Sequence, residues 1–157
     1  MVRLRRYEIP CSRRYNAAVP NSDAAEVIGP DFLRRVPLFE HLPNRDLQKL
    51  SLAAHDISYP AGTALTAVDD FPSVFFILVE GRASVEVDGH VRKPLGPREW
   101  FGELALLGGG PRSAVVTAET AVRCLVLTRW EFRAFLKEHP DVSWLLLESI
   151  ARRLTSS

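Results

Sequence analysis

Apolar residues change their spacing twice along this chain, and the two changes divide it into helices, strands and helices again. From Asp31 the positions Phe32, Leu33, Val36 and Phe39 can share one helical face, until Pro37 interrupts the run. After Pro43, Asn44 is placed to cap a second helix whose Leu47, Leu50 and Ala54 face a core. Near Asp56 the period shortens. Ile57 and Tyr59 alternate with polar neighbours, Pro60-Ala61-Gly62 reads as a turn, and a short strand is predicted over 63–68. Val74 to Val79 is continuously apolar and rich in β-branched and aromatic types, the signature of a strand covered on both faces. Ala83, Val85 and Val87 alternate with Ser84, Glu86 and Asp88, and Asp88-Gly89 signals a hairpin. Strands return at 115–117 and 122–127. Trp130, Phe132, Phe135 and Leu136 pattern a helix that stops near His139, and Pro140 opens another through Leu146, Leu147, Ile150, Ala151 and Leu154. Trp130 and Trp144 mark core packing or a partner surface, with the core as the first expectation. Short strands in one central block between helices predict an α+β fold with a sandwich or jelly-roll barrel.

The first 28 residues show no sustained period and are read as an Arg-rich tail or linker, leaving 29–157 as one domain. Arg3, Arg5, Arg6, Arg13 and Arg14 face the single acid Glu8 there, which suits a solvated tail or a basic arm for an acidic partner. Pro10 and Pro20 would interrupt an amphipathic transit helix. The formal net charge of the whole chain is +1, so neither nucleic acid nor membrane is indicated as a partner. No apolar run approaches the roughly 20 residues that span a bilayer. The two cysteines, Cys11 and Cys124, form neither a disulfide framework nor a C-x-x-C motif, which fits a reducing compartment and a cytoplasmic location.

The stretch from Phe101 to Ala114 carries the chemistry. Leu104 to Leu107, after Gly102-Glu103, is long enough for about one helical turn, whose N-terminal amides suit an anion. Arg112 lies beyond the glycine bend Gly108 to Gly110; its guanidinium can grip a phosphate bidentately, and Ser113 adds a hydroxyl donor. Glu103 offers an acceptor for a sugar hydroxyl. Together these groups describe a nucleotide with one negative charge. Taken alone, the glycines are equally a plain turn, and Glu103 with Arg112 a surface ion pair worth less than about 1 kcal/mol. A triphosphate loop is not supported, because no Gly-Lys-Ser/Thr follows the glycines.

The order F-G-E-L-A-L-L-G-G-G-P-R-S-A resembles the phosphate-binding cassette of cyclic nucleotide-binding domains, as in the catabolite activator protein and the cAMP-dependent kinase regulatory subunit. The resemblance extends over residues 31–155, through the helical lead-in Phe32 to Phe39, the turns Pro60-Ala61-Gly62 and Glu80-Gly81, and Leu95-Gly96-Pro97 before the cassette. It implies an eight-stranded antiparallel jelly-roll β-barrel flanked by N-terminal and C-terminal helices. It also implies that Glu103 accepts from the ribose 2′-OH and that Arg112 pairs with the exocyclic phosphate oxygen. Gly102, Leu104 and Ala105 would contribute backbone groups, and Ser113 and Ala114 complete the site. A serine at position 113 leans toward cAMP, with cGMP the alternative ligand. Ala67-Val68-Asp69-Asp70 lacks the family's frequent Gly-Asp turn, Arg98-Glu99 replaces another, and Val115-Val116 departs from the usual Thr-Val or Ser-Val.

The resemblance implies a regulatory sensor, not an enzyme, whose last two helices move when ligand binds and act on an effector lying outside this chain. Arg153 near the end could pair with Glu103 across the site, or be a solvated arginine at a helix end. A homodimer through the C-terminal helix is one form of regulation. The competing reading is a degenerate barrel kept as a protein-interaction or dimerisation module without ligand. A metal-dependent jelly-roll enzyme finds no support: His41, His55, His90 and His139 are dispersed and are expected at the surface or in loops, so no metal is expected.

Overall fold

The computed structural model describes residues 19–20, 28–66, 74–103 and 114–155, with side chains described up to residue 152. A two-residue strand β1 (Val19–Pro20) precedes α1 (Pro30–Arg34), a 3-10 turn (Pro37–Phe39) and α2 (Asn44–Ala53). The strands are β2 (His55–Tyr59), β3 (Ala64–Thr66), β4 (Val74–Glu80), β5 (Ala83–Val87), β6 (His90–Leu95), β7 (Trp100–Phe101), β8 (Ala114–Ala118) and β9 (Val122–Thr128). Helices α3 (Arg129–Glu138) and α4 (Pro140–Thr155) close the described chain.

The pairing is nested. β2 pairs with β9, β3 with β8, β4 with β7 and β5 with β6, all antiparallel, as if one long hairpin were rolled onto itself. Further pairs, β4 with β9 and β5 with β8, complete two sheets, β1-β2-β9-β4-β7 and β3-β8-β5-β6. This is the expected α+β jelly roll. Among the described residues it is built as two facing sheets with no bonded ring closing them. The hairpin expected at Asp88-Gly89 joins β5 to β6 with both residues at positive φ, +52° and +80°, the requirement of a type I′ turn.

The strand period of two explains the continuous apolar run in β4. Phe75, Ile77 and Val79 point into a core shared with the helices, whereas Val74, Phe76 and Leu78 point into a second core between the sheets. β9 divides in the same way: Leu125 and Leu127 face the helices, and Val122, Cys124 and Val126 face the opposite sheet. Phe132 of α3 stacks on Phe75 of β4 with ring centroids 4.2 Å apart, and Phe135 meets Phe39 edge-on at 5.6 Å. Val142 and Leu146 of α4 are buried in this helix-side core with Leu33, Leu38 and Leu47. The five-stranded sheet is therefore the middle layer of the molecule.

Three expectations need correction. Asn44 is the first residue of α2 and makes no cap; its side-chain oxygen accepts a 3.0 Å hydrogen bond from Arg34, tying α2 to α1. His55 is not a surface histidine. Its side chain is 11% exposed, and its Nε2 lies 3.2 Å from both carboxylate oxygens of Glu131 in α3. Trp130 and Trp144 are 73% and 64% exposed, because Phe132 and Phe135 of α3, and Val142 and Leu146 of α4, occupy the inward faces.

Candidate functional site

The motif is held at both ends, by different sheets. On the entering side, Trp100 and Phe101 form β7 against Ile77 and Phe76 of β4. The rings of Phe101 and Phe76 stack with centroids 4.6 Å apart, and Tyr59 meets Phe76 edge-on at 6.4 Å. A tight bracket fixes the loop before β7: Arg98 N–H donates to Leu78 O at 2.8 Å, and Leu78 N–H donates to Glu99 O at 2.9 Å. Arg98 adopts φ +74°, and Glu99 accepts from Gly96 N–H at 3.2 Å. The Arg98-Glu99 departure from the family pattern thus still forms an ordered turn.

Gly102 follows at φ +98°, a conformation that a side chain disfavours. Glu103 comes next with helical backbone and only 1% of its surface exposed. Burying a carboxylate is costly unless donors surround it, and Glu103 is a buried carboxylate with partners, not a solvated one.

On the leaving side, Ala114 opens β8 opposite Val87 of β5. Its carbonyl accepts a 3.2 Å hydrogen bond from the hydroxyl of Thr66. That threonine went unnoticed in the sequence, because a single polar residue in a short strand carries no pattern. Of the expected site residues, Gly102, Glu103 and Ala114 lie within the described chain. Leu104, Ala105, Arg112 and Ser113 lie outside the described residues, as does the side chain of Arg153.

Residues 56–139, more than half of the chain, match the family model of the cyclic nucleotide-binding domain. The chain belongs to that family. It is 33% identical, over 134 residues, to a cyclic nucleotide-gated potassium channel of Mesorhizobium japonicum, an alignment covering 82% of this chain and 37% of the channel. Among solved structures, PKAR CBD2 bound to Sp-2Cl-cAMPS superposes with a TM-score of 0.71 and 27% identity, over 81% of this chain and 87% of that one. The catabolite activator protein of Thermus thermophilus gives a TM-score of 0.68 and 29% identity, over 76% of this chain and 59% of that one. The chain thus spans well under half the length of the channel it matches. Cyclic nucleotide-binding domains are regulatory sensor modules, and this one has their fold.

Away from the cassette, the buried Arg123 of β9 clamps Asp56 of β2 bidentately, its Nε 2.9 Å from one carboxylate oxygen and its Nη2 on the other. Cys124 beside it is fully buried, and burial, reinforced by the nearby Asp56 charge, pushes its thiol up to about 12. A thiol held protonated in this way is a packing group, not a nucleophile. Among the described residues no cluster of three His, Cys, Asp or Glu side chains could hold a metal ion.

Proposed function

We propose that this domain binds a cyclic nucleotide, cAMP in preference to cGMP, and works as a sensor without catalytic activity of its own. The observation that carries the reading is the buried Glu103 at the first turn after Gly102, at the family's position for a ribose contact. Glu103 accepts from the 2′-OH, and Arg112 pairs with the ring phosphate through two parallel charge-assisted hydrogen bonds. Ser113 and the backbone groups of Gly102, Leu104, Ala105 and Ala114 complete the cradle. One of the named structural relatives, PKAR CBD2, holds Sp-2Cl-cAMPS, which supports a cyclic nucleotide as the ligand.

The output runs through α3 and α4. Both pack on the helix-side core, whose sheet residues belong to β4 and β9, the strands that also line the space between the sheets. Ligand drawn toward Glu103 favours one arrangement of β7 and the following turn, and the helices adjust to it. This works only where the two arrangements differ in ligand affinity. An effector domain or protein in the cytoplasm receives the change. Among the described residues no helix is long and apolar enough to cross a membrane.

The test is calorimetry with cAMP and cGMP on the wild type and on Arg112→Ala. Loss of a desolvated phosphate contact is expected to cost about 2–5 kcal/mol of binding free energy. Absence of binding by the wild type at millimolar ligand would instead support the second reading, an interaction or dimerisation module. The exposed Trp144 and Leu147, one helical turn apart on α4, favour that alternative and would then mark the partner face.

A further inference from the structure

β3 and β8 are out of step. Ala64 lies opposite Thr117, whereas Thr66, two residues on, lies opposite Val116, one residue back. The register shifts by one residue between Ala64 and Thr66, as at a β-bulge. Thr66 is 2% exposed, and its hydroxyl bonds two backbone groups of β8 at this shift: it accepts from Val116 N–H at 3.1 Å and donates to Ala114 O at 3.2 Å. One oxygen thus uses its proton and a lone pair to satisfy two backbone groups of β8, Val116 itself being buried.

These two groups lie at the point where β8 begins, directly after Arg112 and Ser113. On its other side β8 is held by backbone pairing to β5, Ala114 opposite Val87 and Val116 opposite Val85. The start of β8 is therefore fastened to β5 by a regular ladder, and to β3 by pairing across a register shift to which the Thr66 hydroxyl adds two hydrogen bonds. We infer that Thr66 is a positioning residue for the ligand, fixing the strand end from which the Arg112 guanidinium is delivered to the phosphate. The inference rests on the reading of Arg112 as the phosphate contact. A cavity among Arg35, Pro37, Pro97, Arg98, Glu99 and Trp100 offers no comparable link to the site.

Thr66→Val is close in shape and removes both hydrogen bonds; Thr66→Ser keeps the hydroxyl. Titration with cAMP is expected to give about tenfold weaker binding by Thr66→Val, and affinity within about twofold of wild type for Thr66→Ser. Amide exchange at Val116 in the ligand-free protein should speed up in Thr66→Val alone. A double-mutant cycle with Arg112→Lys separates positioning from general loosening, because residues acting through one another are not additive. Thr66→Val should cost much less in the Arg112→Lys background than in the wild type. An equal factor in both backgrounds, or unchanged affinity in Thr66→Val, would overturn the inference while leaving the ligand reading intact. Failure of the wild type to bind either nucleotide would overturn both. Thermal unfolding of each variant shows whether it folds, and should Thr66→Val not fold, failure of Thr66→Ser to retain affinity would count against the role of the hydroxyl.

Discussion

Gly81 and Gly62 both adopt positive φ, +93° and +88°, yet their surroundings differ. A Cβ at Gly81 would overlap the carbonyl oxygen of Ala121 and lie 2.8 Å from Thr120 Oγ1 and Val122 Cγ1, whereas at Gly62 nothing lies within 4 Å. Gly62→Ala should therefore cost only the backbone strain, about 1 kcal/mol. Gly81→Ala should cost at least about 2–3 kcal/mol, since backbone must move as well. Denaturant midpoints of the two variants check this ordering. At Cys124, burial and the raised thiol pKa predict no reaction with a thiol reagent at pH 8 until the protein unfolds; Cys11→Ser protein gives the clean measurement. Single residues are also where sequence and structure part most often. Nothing in the local pattern distinguishes His55, which finds Glu131 across 76 positions of chain. Trp130 and Trp144 look like core because they are large and apolar, but their helical faces point outward.

The junction of β9 and α3 is built around Glu131. Thr128 accepts from Glu131 N–H at 3.3 Å while the Glu131 carboxylate accepts from Thr128 N–H at 2.8 Å, a reciprocal capping box that also engages His55. Burial by itself pushes the Glu131 carboxyl upward, but the hydrogen bonds from His55 and Thr128 and the His55 charge outweigh it, so the group sits below its ordinary 4.5. A carboxyl depressed in the folded state contributes stability that is present above its unfolded pKa and is lost as pH falls through the folded value. Glu131→Gln should therefore destabilise by about 1 kcal/mol at pH 7, and the gap to wild type should narrow as pH drops below 4.5, as read from unfolding midpoints across pH. Elements with a strong period were legible before any coordinates: β4, the alternating β5, the Asp88-Gly89 hairpin, and the break between α3 and α4 at His139-Pro140. Elements fixed by tertiary partners were not. The two-residue β1 and β7 exist only because β2 and β4 offer them edges. α2 starts at Asn44 itself, with Pro43 in the cap position, and the Asn44 side chain is bound by Arg34 instead.

For the molecule as a whole, the decisive arrangement is one sheet with a core on each face. Ligand bound against one side of the jelly roll stabilises the fold through mass action, and at a concentration a hundredfold above Kd the gain is about 2.7 kcal/mol, a rise in Tm of roughly 5–10 °C. cAMP should produce this shift in the wild type, and Arg112→Ala should not show it at the same concentration. The jelly roll was legible as a class because alternation, turn residues and the F-G-E motif all agree. Its nesting, β2 with β9 through β5 with β6, was not, because register between strands far apart in the chain is set by which faces must be buried together.

Of the three tryptophans, Trp130 and Trp144 stand mostly in water, each on one of the two helices that close the fold. The emission of the free protein should accordingly be long-wavelength and readily quenched by acrylamide. Whatever comes to rest on those helices, a second copy or a neighbouring domain, will shield an indole and shift its colour toward the blue, so the chain carries its own optical gauge of the surface through which it would speak.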